Sequence, residues 1–152
     1  MKTTLIPIAA FAALMLAGCQ ETSNETAKDV AEAREEAAED VSDARKDANK
    51  DVNAANADVA EARQEYNASD DASRKELTAA ESDAMTQAAK AQFDVASTQA
   101  EGRHTVEKEK CDALAGVDKD ACLSTAKATF TAEQAAITET RDNALVSAER
   151  HD

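Results

Sequence analysis

The sequence contains few of the bulky apolar residues that fill a globular core. It has no tryptophan, three phenylalanines and one tyrosine. From Cys19 to Asp152 it has 17 Val, Leu, Ile, Met, Phe or Tyr residues against 32 alanines. A compact core cannot be built from so little apolar surface, and such values approach those of disordered chains. The composition therefore argues against an enzyme, and we expect no catalytic residue, no metal site and no cofactor.

Helix-breaking residues are also rare. The sequence has one proline, Pro7, and after Gly18 only Gly102 and Gly116 interrupt it. Alanine, which is abundant, is the strongest helix former. We therefore predict an all-α fold of long alanine-rich helices, arranged as an elongated coiled coil or a three-helix bundle.

Residues 27 to 59 form an eleven-residue repeat: AKDVAEAREEA, AEDVSDARKDA and NKDVNAANADV. Eleven residues in three turns, about 3.67 per turn, favour a nearly straight helix. Apolar residues recur at steps of three or four, which predicts one buried seam along this helix. The predicted seam positions are 30, 33, 37, 41, 44, 48, 52, 55, 59, 62 and 66.

The apolar spacing continues beyond the repeat and predicts three helices, at about 25–66, 70–115 and 119–149. The first corresponds to an eleven-residue-repeat region, 26–66, and the other two to a helical hairpin region, 70–150, with its turn near 116–118. Gly116 can adopt the left-handed conformation that closes a helix, and Asp118 is the predicted N-cap of the third helix. The predicted seam residues of the hairpin are Leu77, Ala80, Ala84, Ala88, Ala91, Val95, Ala126, Phe130, Ile137, Ala144 and Ala148.

The opposite face of the first helix is acidic. Glu35, Glu39, Asp43, Asp47 and Asp51 lie four residues apart, so each meets a like charge one turn away. We call these five residues the acidic stripe; it is either a solvated face or a surface for divalent cations or a basic partner. From Cys19 onward the side chains carry 16 positive and 31 negative charges, a net of −15. That balance argues against nucleic acid as a partner.

A single lysine, Lys2, precedes an apolar run from Leu5 to Met15, which has the form of a secretory signal and is too short to span a bilayer stably. The run ends in Leu16-Ala17-Gly18-Cys19, which resembles the lipobox of bacterial lipoproteins. The resemblance implies a signal peptide at 1–18, lipidation of Cys19 with acyl chains such as palmitate, and a tether at 19–25. An ordinary signal peptide with an incidental cysteine is the alternative. Gln20, in place of an aspartate, implies anchoring in the outer membrane, facing the periplasm.

Two further cysteines, Cys111 and Cys122, lie at similar distances on either side of the predicted turn. In an antiparallel hairpin that symmetry places the two thiols opposite each other. Zinc ligands and a catalytic redox pair are the alternatives, but the spacing matches neither a zinc motif nor C-x-x-C. In an oxidising compartment a structural disulfide is favoured. His104 and His151 stand among polar residues, so we expect both to be exposed.

The segment around the cysteines, Cys-Asp-Ala-Leu-Ala-Gly followed by Lys119-Asp120 and Cys122, resembles a motif of small alanine-rich exported proteins of proteobacteria. The match covers about residues 107–130. The resemblance implies a disulfide-closed hairpin and no particular activity.

These features together favour a structural or interaction role in the cell envelope. An alanine-rich coil behind a lipobox is similar in plan to lipoproteins that tether the outer membrane to peptidoglycan. Those lipoproteins are joined to the cell wall through a C-terminal lysine, whereas this sequence ends in Glu149-Arg150-His151-Asp152. We therefore expect non-covalent binding of an envelope protein or of peptidoglycan. Coiled-coil self-association is a further expected contact. The alternative is a stress protectant, because the repeat at 27–66 resembles late-embryogenesis-abundant proteins, which become helical on drying.

Overall fold

In the computed structural model, which describes residues 22–68 and 71–151, every regular element is an α-helix. The helices are α1 (Ser23–Ala68), α2 (Asp71–Asp112) and α3 (Gly116–Glu149). The predicted all-α fold is confirmed, and the helix bounds differ from the predicted ones by at most three residues. The predicted signal peptide 1–18 and Cys19 lie outside the described residues. Because α1 begins at Ser23, the last part of the predicted tether belongs to the first helix.

The apolar seam of α1 is where the repeat predicts it. All eleven predicted seam positions are buried or half-buried, and the remaining positions described in α1 are exposed except Thr26 and Asp29 near its start. The eleven-residue period keeps the seam on one side of a straight helix for its whole length. One narrow stripe of α1 therefore supplies almost all of its packing.

The described parts of the three helices form an open array with α2 in the middle. α2 packs against α1 on one side and against α3 on the other, whereas α1 and α3 do not contact each other within the described residues. α1 and α2 are antiparallel, since Arg63 meets Glu81 whereas the earlier Ala37 meets the later Gly102. α2 and α3 are antiparallel as well, since Arg103 meets Glu133 whereas the earlier Ser82 meets the later Ala148. The predicted fold of long alanine-rich helices with a C-terminal disulfide-closed hairpin is therefore confirmed, and within the described residues α2 is the helix that packs on both of the others.

The buried side chains are almost all small. One valine, Val30, and one disulfide cysteine accompany a set of alanines: Ala33, Ala55, Ala89, Ala91, Ala100, Ala126 and Ala148. The predicted seam residues of α2 and α3 are likewise buried or half-buried. Short side chains let helices approach closely, so close backbone contact contributes much of the packing of each helix pair.

The closest approach of α1 and α2 is at Gly102. A Cβ atom built on Gly102 would lie 2.6 Å from the Cβ of Ala37, a distance at which one of the helices would have to move. The sequence indicates Gly102 only as an interruption of the helix. As in the predicted helix 70–115, α2 continues through Gly102, and the structure adds that the missing side chain makes room for α1.

A reciprocal capping box starts α1. The Thr22 backbone N–H and hydroxyl both donate to Glu25 Oε2, at 3.0 and 2.7 Å, and the Glu25 N–H donates to Thr22 Oγ1 at 3.3 Å. These bonds satisfy N–H groups that a helix start otherwise leaves unpaired. Bonding to the charged form lowers the pKa of Glu25. The start of α1, whose capping residue lies three residues after Cys19, is thus fixed by local side chains.

Candidate functional site: the disulfide-closed end

The predicted disulfide is formed between the last turn of α2 and the second turn of α3. Cys111 and Cys122 are bonded, with their Cα atoms 5.6 Å apart. Cys111 is fully buried between the helices. Because both sulfurs are consumed in the bond, neither offers the thiolate that a metal ion needs. The cysteine pair therefore closes the hairpin, as the sequence predicts.

The turn itself lies at 113–115, just before the predicted 116–118. The Leu114 N–H donates to the Cys111 carbonyl at 3.0 Å, which closes the end of α2. Gly116 has the predicted left-handed backbone, with φ of 55°, but it begins α3 instead of ending α2. The predicted N-cap at Asp118 is therefore wrong. Ala115 holds that position, and Asp118 lies in the first turn of α3, where its charge faces the positive end of the helix dipole.

An ion pair crosses the turn beside the disulfide. Lys119 Nζ lies 2.6 Å from Asp112 Oδ1, and both side chains are about one-third exposed. Exposed pairs of this kind contribute little stability by themselves. Here the pair joins the same two helices as the disulfide, so the geometry of the turn is held at two points.

A groove of about 430 Å³ runs between α2 and α3 next to the disulfide. Its floor contains His104 and Phe130, whose rings stack in parallel with centroids 4.6 Å apart. The expectation that His104 is exposed is wrong, since it is half-buried against this ring. Its Nδ1 atom is buried and has no hydrogen-bond partner among the described residues. Arg103 and Glu133 form a two-bond pair, at 3.2 and 3.3 Å, that covers one edge of the groove.

The opposite end of the array is joined by one carboxylate. Glu81 of α2 accepts from Arg63 Nη2 of α1 at 2.9 Å and lies 3.1 Å from Nε2 of His151, which follows α3. The hydrogen bond with His151, and then that with Arg63, lowers the pKa of Glu81. We call these three residues the Glu81 junction. His151 is exposed as predicted, but the sequence does not indicate its partner.

The acidic stripe of α1 is exposed at all five positions. It is partly neutralised, because Lys46 Nζ lies 2.6 Å from Asp43 Oδ1. This hydrogen bond and the charge of Asp43 raise the pKa of Lys46, with smaller contributions from Glu39 and Asp47. In residues 22–68 and 71–151 no group of three or more His, Cys, Asp or Glu side chains is arranged to hold a metal ion.

The described residues therefore bring together structural contacts: a disulfide, a ring stack, ion pairs between helices and shallow grooves. Comparisons of the chain with protein-family models, with curated proteins and with solved structures gave no match. The resemblance to small alanine-rich exported proteins therefore stays a prediction. Within the described residues, no helix is long and apolar enough to pass through a membrane.

Proposed function

We propose that this chain is a lipid-anchored protein of the outer membrane that faces the periplasm and has a structural or interaction role in the envelope. The observation that carries the proposal is the sequence Leu16-Ala17-Gly18-Cys19, which ends three residues before the capping residue of α1, Thr22. A lipid on Cys19 would hold one end of a long helix at the membrane surface. At 1.5 Å per residue, the 46 residues of α1 span about 69 Å.

The open array supports an interaction role over an enzymatic one. Its grooves are shallow, and the charged pair that lines the groove beside the disulfide, Arg103 with Glu133, already joins the two helices. Because α1 and α3 do not cover each other within residues 22–68 and 71–151, each presents a long outer face to solvent among these residues. An envelope protein or peptidoglycan would be bound non-covalently on such faces.

The lipid anchor is tested with two substitutions, one that should prevent lipidation and one that should keep the lipid but change the membrane in which it is inserted. Cys19→Ser should leave the signal uncleaved by the lipoprotein peptidase and the protein without its acyl chains. Gln20→Asp should keep the lipid and move the protein from the outer to the inner membrane, as the resemblance implies. The measurements are membrane fractionation and the mass of the N-terminal peptide. A Cys19→Ser protein that is processed and still fractionates with the outer membrane would refute the anchor.

The interaction role is tested by photo-crosslinking in cells. A photoreactive residue is placed at Ala132, on the outer face of α3, or at Glu39, in the acidic stripe. The matched control is Ala91, which is buried between helices. A discrete crosslinked partner from an exposed position but not from Ala91 supports the proposal. The stress-protectant alternative would be favoured if no crosslink forms and if circular dichroism shows that the mature domain becomes helical only when it is dried.

A further inference from the structure

The turn between α2 and α3 carries an unusual concentration of exposed apolar surface. Of the large hydrophobic residues exposed in the described chain, Leu114 and Val117 lie within four residues of each other, 40% and 81% exposed. The other two, Met85 and Val146, lie separately in the helices and are 39% and 43% exposed. We call residues 113–117 the tip. In a chain so poor in bulky apolar residues, exposing two of them together loses burial that the fold could use.

The tip lies at the same end of the array as the start of α1. Ala37 of α1 contacts Gly102 of α2 in an antiparallel pair. From that contact, Ser23 is 14 residues away along α1 and Asp112 is 10 residues away along α2, about 21 and 15 Å at 1.5 Å per residue. Measured along the helix axes, the start of α1 and the end of α2 therefore lie within about 6 Å of each other.

We propose that the tip contacts the phospholipid surface in which the N-terminal lipid is inserted, so that the protein is held at the membrane by both the lipid and the tip. The inference rests on the proposed lipidation of Cys19. Three residues separate Cys19 from Ser23, and a chain spans at most about 3.6 Å per residue, so a lipidated cysteine holds the start of α1 within about 14 Å of the bilayer. At that height Leu114 and Val117 reach the interface, where partly buried apolar side chains are stable.

The charges around the tip determine which lipids it accepts. Asp112, Asp118 and Asp120 flank the two apolar residues in the sequence, and Lys119 is paired with Asp112. An anionic surface repels this set, whereas a zwitterionic surface does not. The occupant is therefore a zwitterionic phospholipid surface. Its contact is weak alone and depends on the tether, which keeps the tip at high effective concentration beside the membrane.

The test uses the full mature chain with Cys19→Ser and an N-terminal hexahistidine tag, bound to vesicles of zwitterionic lipid with a small share of nickel-chelating lipid. The tag replaces the acyl chains, so a failure of lipidation in cells leaves this experiment unaffected. A fluorophore is attached at Val117→Cys, with the disulfide intact, and its quenching by spin-labelled lipid is measured. Val146→Cys is the matched control: it is also an exposed valine of α3, but 29 residues, about 44 Å, away.

We expect strong quenching at Val117→Cys and none at Val146→Cys, with the quenching at the tip reduced when anionic lipid is added. A second labelling site, Ser124→Cys, leaves both apolar residues of the tip in place. With the label at this site, replacing Leu114 and Val117 together by serine should reduce the quenching, whereas the control Val146→Ser should leave it unchanged. Equal quenching at both ends, stronger quenching at Val146→Cys, or no quenching at the tip would overturn the proposal. The proposal would also be overturned if the serine substitutions leave the quenching at Ser124→Cys unchanged. The same holds if the protein self-associates and the tip is buried against a second copy of the chain.

Discussion

Gly102→Ala should destabilise the protein although alanine is the better helix former. In the middle of an ordinary exposed helix, this change stabilises by roughly 0.5–1 kcal/mol. In this protein the new Cβ would lie 2.6 Å from the Cβ of Ala37, so α1 and α2 must separate locally. Overpacking of this kind costs about 1–3 kcal/mol, which outweighs the gain in propensity. We expect a net loss of up to about 2 kcal/mol.

The assay is thermal unfolding of the oxidised mature domain, followed by far-ultraviolet circular dichroism. For a chain of this size, each kcal/mol shifts Tm by roughly 2–4 °C or slightly more. Ala37→Gly removes the opposing Cβ, so the double variant should be more stable than the sum of the single variants predicts, with a coupling energy of about 1–3 kcal/mol. Ala60→Gly, at an exposed position of α1, measures the propensity cost of a glycine without that contact.

A Gly102→Ala protein with a higher Tm would show that α1 and α2 have room for a methyl group between them. A double variant whose stability equals the sum of the single effects would mean that the two positions are not in contact. Either result would leave the glycine in the middle of α2 without a packing role.

Three further predictions concern the contacts that hold the helix ends. Replacing Cys111 and Cys122 together by serine should lower the free energy of unfolding by roughly 3 kcal/mol, because the disulfide closes a short loop in the unfolded chain; an unchanged Tm would contradict this. Thr22→Ala should cost about 1 kcal/mol through loss of the cap on α1, measured in the same melt. Glu81 has a lowered pKa in the folded state, so its contribution is fully present above its ordinary pKa of 4.5 and is lost as the pH falls through the lower folded value. The free energy of unfolding of Glu81→Gln should therefore fall less than that of the parent as the pH is lowered. If it falls as steeply, the Glu81 junction does not contribute to the acid dependence of stability.

The seam of α1 and the disulfide could be predicted because each depends on distances along the chain. An eleven-residue period places the same face inward whatever the neighbour is, so the pattern alone locates the seam. Likewise, the spacing of Cys111 and Cys122 about a turn brings them together once both flanking segments are helical. The turn lies a few residues before its predicted position because a glycine with φ > 0 can either end one helix or precede the next, and Gly116 does the latter.

The Glu81 junction and the role of Gly102 could not be predicted from the sequence. Both depend on the register between helices: Glu81 is 18 residues from Arg63 and 70 from His151, and Gly102 matters only because Ala37 lies opposite it. Many acidic and basic residues are available to pair, and nothing local distinguishes these. The capping box at Thr22 and Glu25 is different, since its T-x-x-E spacing is a local signal from which the start of α1 could have been predicted.

The open array predicts that α1 unfolds locally before the hairpin does. α2 and α3 are joined by a disulfide and a ring stack, whereas α1 is held on α2 by a narrow seam of alanines and a few valines, and its acidic stripe opposes helix formation. Because α1 and α3 do not touch in the described residues, opening α1 does not disturb the second pair. Only the second pair is cross-linked by a disulfide, so amide hydrogen exchange should be faster in α1 than near the disulfide. Added salt should slow exchange in α1 selectively, since it weakens repulsion between exposed charges. The control is the chain with Cys111 and Cys122 replaced by serine, in which exchange in α3 should approach that of α1. Equal protection of α1 and α3 in the oxidised protein, unaffected by salt, would mean that the three helices open as one unit.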